Sequence, residues 1–334
     1  MERIDYIRNY VELYGKIYFM SCQRQELFSI DIEKKRINCE CIFDWERDKG
    51  HADIFLYENK IVVIGMNTFQ ICIFDPEDHS FNMYSINFEH ISTCVFAYLF
   101  NEKLWMFPED SVDDIVIFDI HEGTFEVVRE LFKSLNKQIK FKYGNICDNK
   151  VYLNDITGKN TVVVDIDSKK AWNYKFPFED EIFAMTIIDN IMYITSASDS
   201  YLYVLDMQSR VYNRFYLSNN TVIAKPLKCR DGVILFTENE MFFFNKSGIK
   251  KIQIPDAIKG HKAWFFCSKD YDEYSLLFPF TSKYFVTIDF IKHEVKDYFE
   301  NVCPYECLFN YEKIFIEKND GLVLNDFLKG IKSC

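Results

Sequence analysis

Short apolar runs recur along the chain, and each third run ends on an acidic or amide residue at regular spacing. The signature stands at Ile30-Asp31-Ile32, Phe74-Asp75-Pro76, Phe118-Asp119-Ile120, Val164-Asp165-Ile166 and Leu205-Asp206-Met207. It continues at Ile288-Asp289-Phe290, with Asn replacing Asp at Phe244-Asn245-Lys246 and Leu324-Asn325-Asp326. The intervals between these anchors are 44, 44, 46, 41, 39, 44 and 36 residues, a period that belongs to arrays of small repeated sheets. A second apolar run precedes each anchor, as in Lys16-Ile17-Tyr18-Phe19, Lys60-Ile61-Val62-Val63 and Lys103-Leu104-Trp105-Met106. These runs are too short for helices and rich in β-branched and aromatic residues, so they are predicted to be strands. Polar pairs such as Glu58-Asn59, Asn101-Glu102 and Asp189-Asn190 precede them, which is hairpin chemistry because Asn and Asp tolerate left-handed backbone.

Each unit therefore reads as four antiparallel strands. Thirty residues precede the first anchor Asp and nine follow the last anchor, close to one more period split between the ends. The expectation is an all-β fold, an eight-bladed β-propeller of four-stranded antiparallel blades. One domain would span 1–334, closed by strands from the N- and C-terminal segments so that no sheet edge stays open. Seven blades is the alternative, should the 36-residue interval before Asn325 mark a degenerate unit. The anchor Asp, followed by runs such as Asp167-Ser168-Lys169, is expected to cap a turn by accepting backbone N–H bonds.

Composition narrows the class. Aromatic residues make up 17% of the chain, enough to fill wedges between twisted sheets packed face to face. No run of 18 apolar residues exists, and Met1-Glu2-Arg3-Ile4-Asp5 lacks the apolar stretch of a secretion signal, so a cytoplasmic protein without membrane attachment is expected. Eleven cysteines, odd in number and scattered, read as free thiols in a reducing compartment. Cys39-Glu40-Cys41 and Cys303-Pro304-Tyr305-Glu306-Cys307 lack the paired two-residue spacing of a zinc site, so no metal is expected. A formal charge of -12 opposes nucleic acid as a partner. Lys133, Lys137, Lys140 and Lys142 form the strongest basic cluster, in a long connector where residues 131–137 are predicted to make a short helical insertion.

The eight anchored units resemble, over the whole chain, the propeller repeats of the kelch-like and quinoprotein-like superfamilies. The likeness is at the level of fold. The Gly-Gly pair of kelch repeats, the Trp motif of quinoprotein blades and the Trp-Asp ending of the other large propeller family are missing, so no activity or cofactor is carried over by residue. The Lys, Asn, Ile and Phe richness fits an AT-rich bacterial genome.

Propeller topology brings blade-joining segments and second-to-third-strand loops to one rim. Its polar residues Arg24, His51, Asp53, Tyr143, Lys225 and Glu306 are the candidate ligand-binding set. No nucleophile elbow, phosphate-cradling loop or His-Glu-x-x-His pair is present. The expected function is a cytosolic binding or scaffolding module that presents a rigid rim to a protein or peptide partner and needs no cofactor. The alternative is an enzyme or small-molecule binder, of a sugar for example, with a polar site in the central channel.

Overall fold

The computed structural model describes residues 7–21, 26–43, 51–65, 70–85, 94–135, 137–196, 199–218, 225–237, 240–255, 265–279, 285–292 and 294–299. They form seven four-stranded antiparallel sheets, each built from one contiguous stretch of chain. Blade 1 comprises β1 (Ile7–Leu13), β2 (Lys16–Ser21), β3 (Glu26–Asp31) and β4 (Arg36–Ile42), and blade 2 comprises β5 (His51–Tyr57), β6 (Lys60–Gly65), β7 (Gln70–Phe74) and β8 (Phe81–Ser85). Blade 3 has β9 (Cys94–Phe100), β10 (Lys103–Pro108), β11 (Ile115–Asp119) and β12 (Thr124–Val128), and blade 4 has β13 (Phe141–Cys147), β14 (Lys150–Asp155), β15 (Thr161–Asp165) and β16 (Lys170–Tyr174). Blade 5 has β17 (Ile182–Ile188), β18 (Ile191–Ser196), β19 (Tyr201–Asp206) and β20 (Tyr212–Tyr216), and blade 6 has β21 (Leu227–Cys229), β22 (Gly232–Phe236), β23 (Met241–Asn245) and β24 (Gly248–Ile252). Blade 7 has β25 (Phe265–Asp270), β26 (Ser275–Pro279), β27 (Val286–Asp289) and β28 (Glu294–Asp297). Within the short helical insertion expected over residues 131–137, a 3-10 turn forms at Lys133–Leu135 between blades 3 and 4.

The middle strands are apolar on both faces because a neighbouring blade covers each face. Thus β6 buries Ile61 through Gly65, and β10 buries Leu104 through Pro108. Outermost strands such as β8 and β20 are mostly exposed. Seven apolar clusters fill the seven wedges between blades.

One of these clusters decides the blade count in favour of the seven-bladed alternative over eight. Ile7, Phe19, Phe28 and Ile37 of blade 1 pack directly on Leu276, Phe278 and Phe285 in and beside the strands of blade 7. Tyr10 stacks on Phe278 with ring centroids 4.7 Å apart. The ring therefore closes at seven blades rather than eight, because blades 7 and 1 already bury each other's faces. β1 pairs with β2 inside its own blade, and the segments 1–6 and 300–334 lie outside the described residues. Asn325 lies outside the described residues.

The anchors cap turns, as their chemistry requires. Lys34 N–H donates to Asp31 (3.0 Å), Glu77 to Asp75 (3.0 Å), Glu122 to Asp119 (3.0 Å) and Ser168 to Asp165 (2.8 Å). Asp206, Asn245 and Asp289 accept equivalent bonds. Four residues after its anchor, the chain turns through left-handed backbone at Lys35, His79, Gly123, Lys169 and Arg210. The Lys34 side chain and then its N–H hold the Asp31 carboxyl below the ordinary carboxylate range, and the backbone N–H bonds chiefly do so for Asp119, Asp165, Asp206 and Asp289.

Candidate functional site

The innermost strands β1, β5, β9, β13, β17, β21 and β25 neighbour one another in turn around the axis, and β25 returns to β1. They all run the same way, so their first residues share one end of the channel. Six of them carry a β-bulge near that start. In β13, Phe141 faces Asp155 and Tyr143 faces Asn154, which leaves Lys142 unpaired. The same offset leaves out Ala52 in β5, Val95 in β9, Phe183 in β17 and Phe266 in β25, and in β1 it sets Arg8 and Asn9 against one residue of β2. A bulge sharpens local twist and re-aims side chains, here at the crowded axis. The strand β21 begins late, after Lys225 and Pro226, because proline has no N–H for the ladder.

The re-aimed residues touch one another around the axis. Arg8 Nη1 donates to the carbonyl of Val95 at 3.2 Å. The Arg8 guanidinium and the Lys225 ammonium both lie over the Phe266 ring, 5.7 and 5.4 Å from its centroid. Lys142 Nζ lies 4.1 Å from the centroid of Phe183. Asn9 donates to Asp53 Oδ1 (3.1 Å), and the Ile54 N–H donates to the same oxygen (3.2 Å). Beside this cluster opens a cavity of about 670 Å³, walled by residues of β1, β5, β17, β21 and β25 and by Lys225 and Pro226. That volume is in the range of small-ligand sites.

Charge in this region is perturbed toward neutrality. Burial raises the Asp53 carboxyl to about 6, against the lowering pull of Arg8, Asn9, the Ile54 N–H and Lys225. The residue as a whole is only partly buried, but packing around the carboxyl still penalises its charge. Burial lowers the Lys225 ammonium to about 8, reinforced by Arg8 and opposed by Asp53 and Cys267. One carboxyl and two cations from blades 1, 2 and 6 thus share the channel end. The pair Lys269–Glu12 (2.7 Å) lies further along the same cavity.

Of the six residues expected on the rim, Asp53 and Lys225 are brought together here. His51 opens β5 opposite Gly65, and its side chain lies outside what is described. Arg24 and Glu306 also lie outside the described residues. Tyr143 sits in β13, buried, and its hydroxyl donates to the Phe183 carbonyl of the next blade. Thr186 to the Pro226 carbonyl and Tyr10 to the Ser268 carbonyl (2.9 Å) make the same kind of blade-to-blade bond. Arg8 and Asn9 escaped the sequence reading, which assigned the N-terminal segment to ring closure. The signal was available: Arg8, Ala52, Lys142, Phe183 and Phe266 each stand 23 residues before their anchors.

Chemically, the cluster can bind an anion or exchange protons near neutrality. Among the described residues no group of three or more His, Cys, Asp or Glu side chains is placed to hold a metal. The histidines with described side chains, His79 and His121, are exposed on outer turns. Cys72, Cys94 and Cys229 are buried thiols, and burial raises Cys94 to about 12. No helix among the described residues is long and apolar enough to cross a membrane.

No known family matches the chain, and no curated protein matches it. Solved propellers do resemble it. YCF48 bound to D1 peptide is 9% identical with a TM-score of 0.66, over 84% of this chain and 90% of that one. Virginiamycin B lyase from Staphylococcus aureus is 10% identical with a TM-score of 0.62, over 83% and 93%. PorZ, a surface component of the type-IX secretion system of Porphyromonas gingivalis, is 14% identical with a TM-score of 0.59, over 88% of this chain but 38% of PorZ. At these identities the likeness establishes the β-propeller fold and nothing finer.

Proposed function

We propose that the protein is a binding module that holds a protein or peptide partner at the bulged end of its channel. The observation that carries this reading is the meeting of Arg8, Asp53 and Lys225, contributed by blades 1, 2 and 6, beside a cavity of about 670 Å³. A ring closed by packing holds such groups rigidly, and rigidity limits the entropy lost on binding. A propeller of similar fold has been solved with a peptide bound, which supports a peptide as the class of partner. A second reading, a small-molecule site within the cavity, is favoured by the cavity volume alone.

The test is selection of a displayed random-peptide library on the full chain, followed by calorimetry of resynthesised peptides. Selected peptides are expected to lose about tenfold or more in affinity against Lys225→Met and to keep it against Lys292→Ala on an outer turn of blade 7. Absence of any selected peptide, or equal binding to Lys225→Met and the parent, contradicts the proposal.

A further inference from the structure

Resting on the axial end as the binding surface, we propose that Lys225 and Arg8 form the seat for a carboxylate. Lys225 borders the cavity and is half-buried. Among the described residues its ammonium makes no hydrogen bond and no ion pair; it rests against the face of Phe266. A partly desolvated ammonium without an acceptor is costly, and an anion in the cavity removes that cost. Arg8 lies over the same ring and spends one donor on the Val95 carbonyl. A guanidinium carries five donors in a planar fork matched to carboxylate oxygens.

Asp53 does not fill this seat. Its Oδ1 accepts from Asn9 and from the Ile54 N–H, which turns it toward β1 and its own strand. It still lowers the local charge, and Arg8, Lys225 and Asp53 together carry one net positive charge. That excess matches a singly charged carboxylate better than a phosphate dianion. The adjoining cavity has room for the rest of the ligand.

The test is ligand-observed NMR titration of the full chain with four probes: N-acetylalanine, its amide, an N-acetylated and C-amidated alanyl-aspartyl-alanine, and inorganic phosphate. N-acetylalanine is expected to bind, with affinity reduced about tenfold or more for the amide and for Lys225→Met, and largely kept by Lys225→Arg. Tighter binding of the tripeptide identifies a side-chain carboxylate as the natural group, and weaker binding a terminal one. Equal binding of acid and amide, undiminished affinity in Lys225→Met, preference for phosphate, or no carboxylate binding at all overturns the seat. Peptides selected independently of Lys225 overturn the partner reading while N-acetylalanine still bound through Lys225 sustains the seat. Peptides that need Lys225 but bind equally with every carboxylate amidated do the reverse.

Discussion

The Arg8 guanidinium donates to the carbonyl oxygen of Val95 at 3.2 Å, joining blade 1 to blade 3 across the innermost strand of blade 2. A contact that skips a blade is possible only where the channel is narrow, and both partners sit at bulges of their strands. The bulges therefore lie where side chains of separate blades meet at the axis, Arg8 with Val95 and Phe266, and Lys142 with Phe183.

Asp53 makes stability depend on pH in a definite direction. Its folded-state value of about 6 lies above the ordinary 3.8, so between these values the folded chain keeps a proton that the unfolded chain has released. Stability then falls as pH rises through that window. Asp53→Asn removes the decline: its melting temperature is expected to match the parent at pH 4 and exceed it by roughly 2 °C or more at pH 7. A difference that is the same at both pH values would show that the carboxyl is not strained by burial.

Tyr143 is bonded between blades, so its removal is expected to cost stability and leave ligand binding intact. Tyr143→Phe strips the donor from the Phe183 carbonyl and is predicted to destabilise by about 1–2 kcal/mol. Denaturant unfolding measures this cost, and binding of N-acetylalanine should be unchanged. Lost binding with unchanged stability would return Tyr143 to the ligand site.

Tyr10 contributes to closure at seven blades: it stacks on Phe278 and donates to the Ser268 carbonyl at 2.9 Å. Tyr10→Ala should cost about 2–4 kcal/mol and Tyr10→Phe about 1 kcal/mol. Were a strand exchange elsewhere to close the ring, both variants would unfold at nearly the parent denaturant concentration.

Gly144 in β13 lets blade 3 approach blade 4. A Cβ there would meet Phe96 Cε1 at 2.2 Å and Cζ at 2.4 Å. Phe96 is buried and wedged between Phe107 and Tyr98, with centroids 5.2 and 4.6 Å away, so the ring has little freedom to move. Gly144→Ala is predicted to destabilise by about 1–3 kcal/mol through overpacking. Calorimetric melting at or above the parent temperature would show that the wedge can relax.

What the sequence disclosed follows the range of the forces involved. Asp31, Asp75 and Asp119 were legible as turn caps because each bonds an N–H two or three residues away. Asp53 and Lys225 were legible as channel-end residues because topology alone carries them there. The choice between seven and eight blades was not, since it depends on Phe19 and Phe28 meeting Phe278 and Phe285, side chains some 250 positions apart. Counting periods treated the terminal segments as halves of one blade, whereas β1 belongs wholly to blade 1. The bulges were hidden for a related reason: an unpaired residue such as Lys142 is defined by its partner strand, and only the 23-residue offset to the anchors betrays it.

The most direct measurement is the titration of the Lys225 ammonium by NMR, assigned through Lys225→Arg, with and without N-acetylalanine. The groups that act on its charge are Asp53 from β5, Arg8 from β1 and Cys267 from β25, and Tyr10, Glu12, Lys228, Lys269 and Asp270 line the same cavity. Without ligand the midpoint is expected at about 8, below the ordinary 10.5. A carboxylate seated beside it favours the charged form, so the midpoint should climb when N-acetylalanine binds. A midpoint at 10.5 that the ligand leaves in place would contradict a partly desolvated, anion-seeking lysine at the axis.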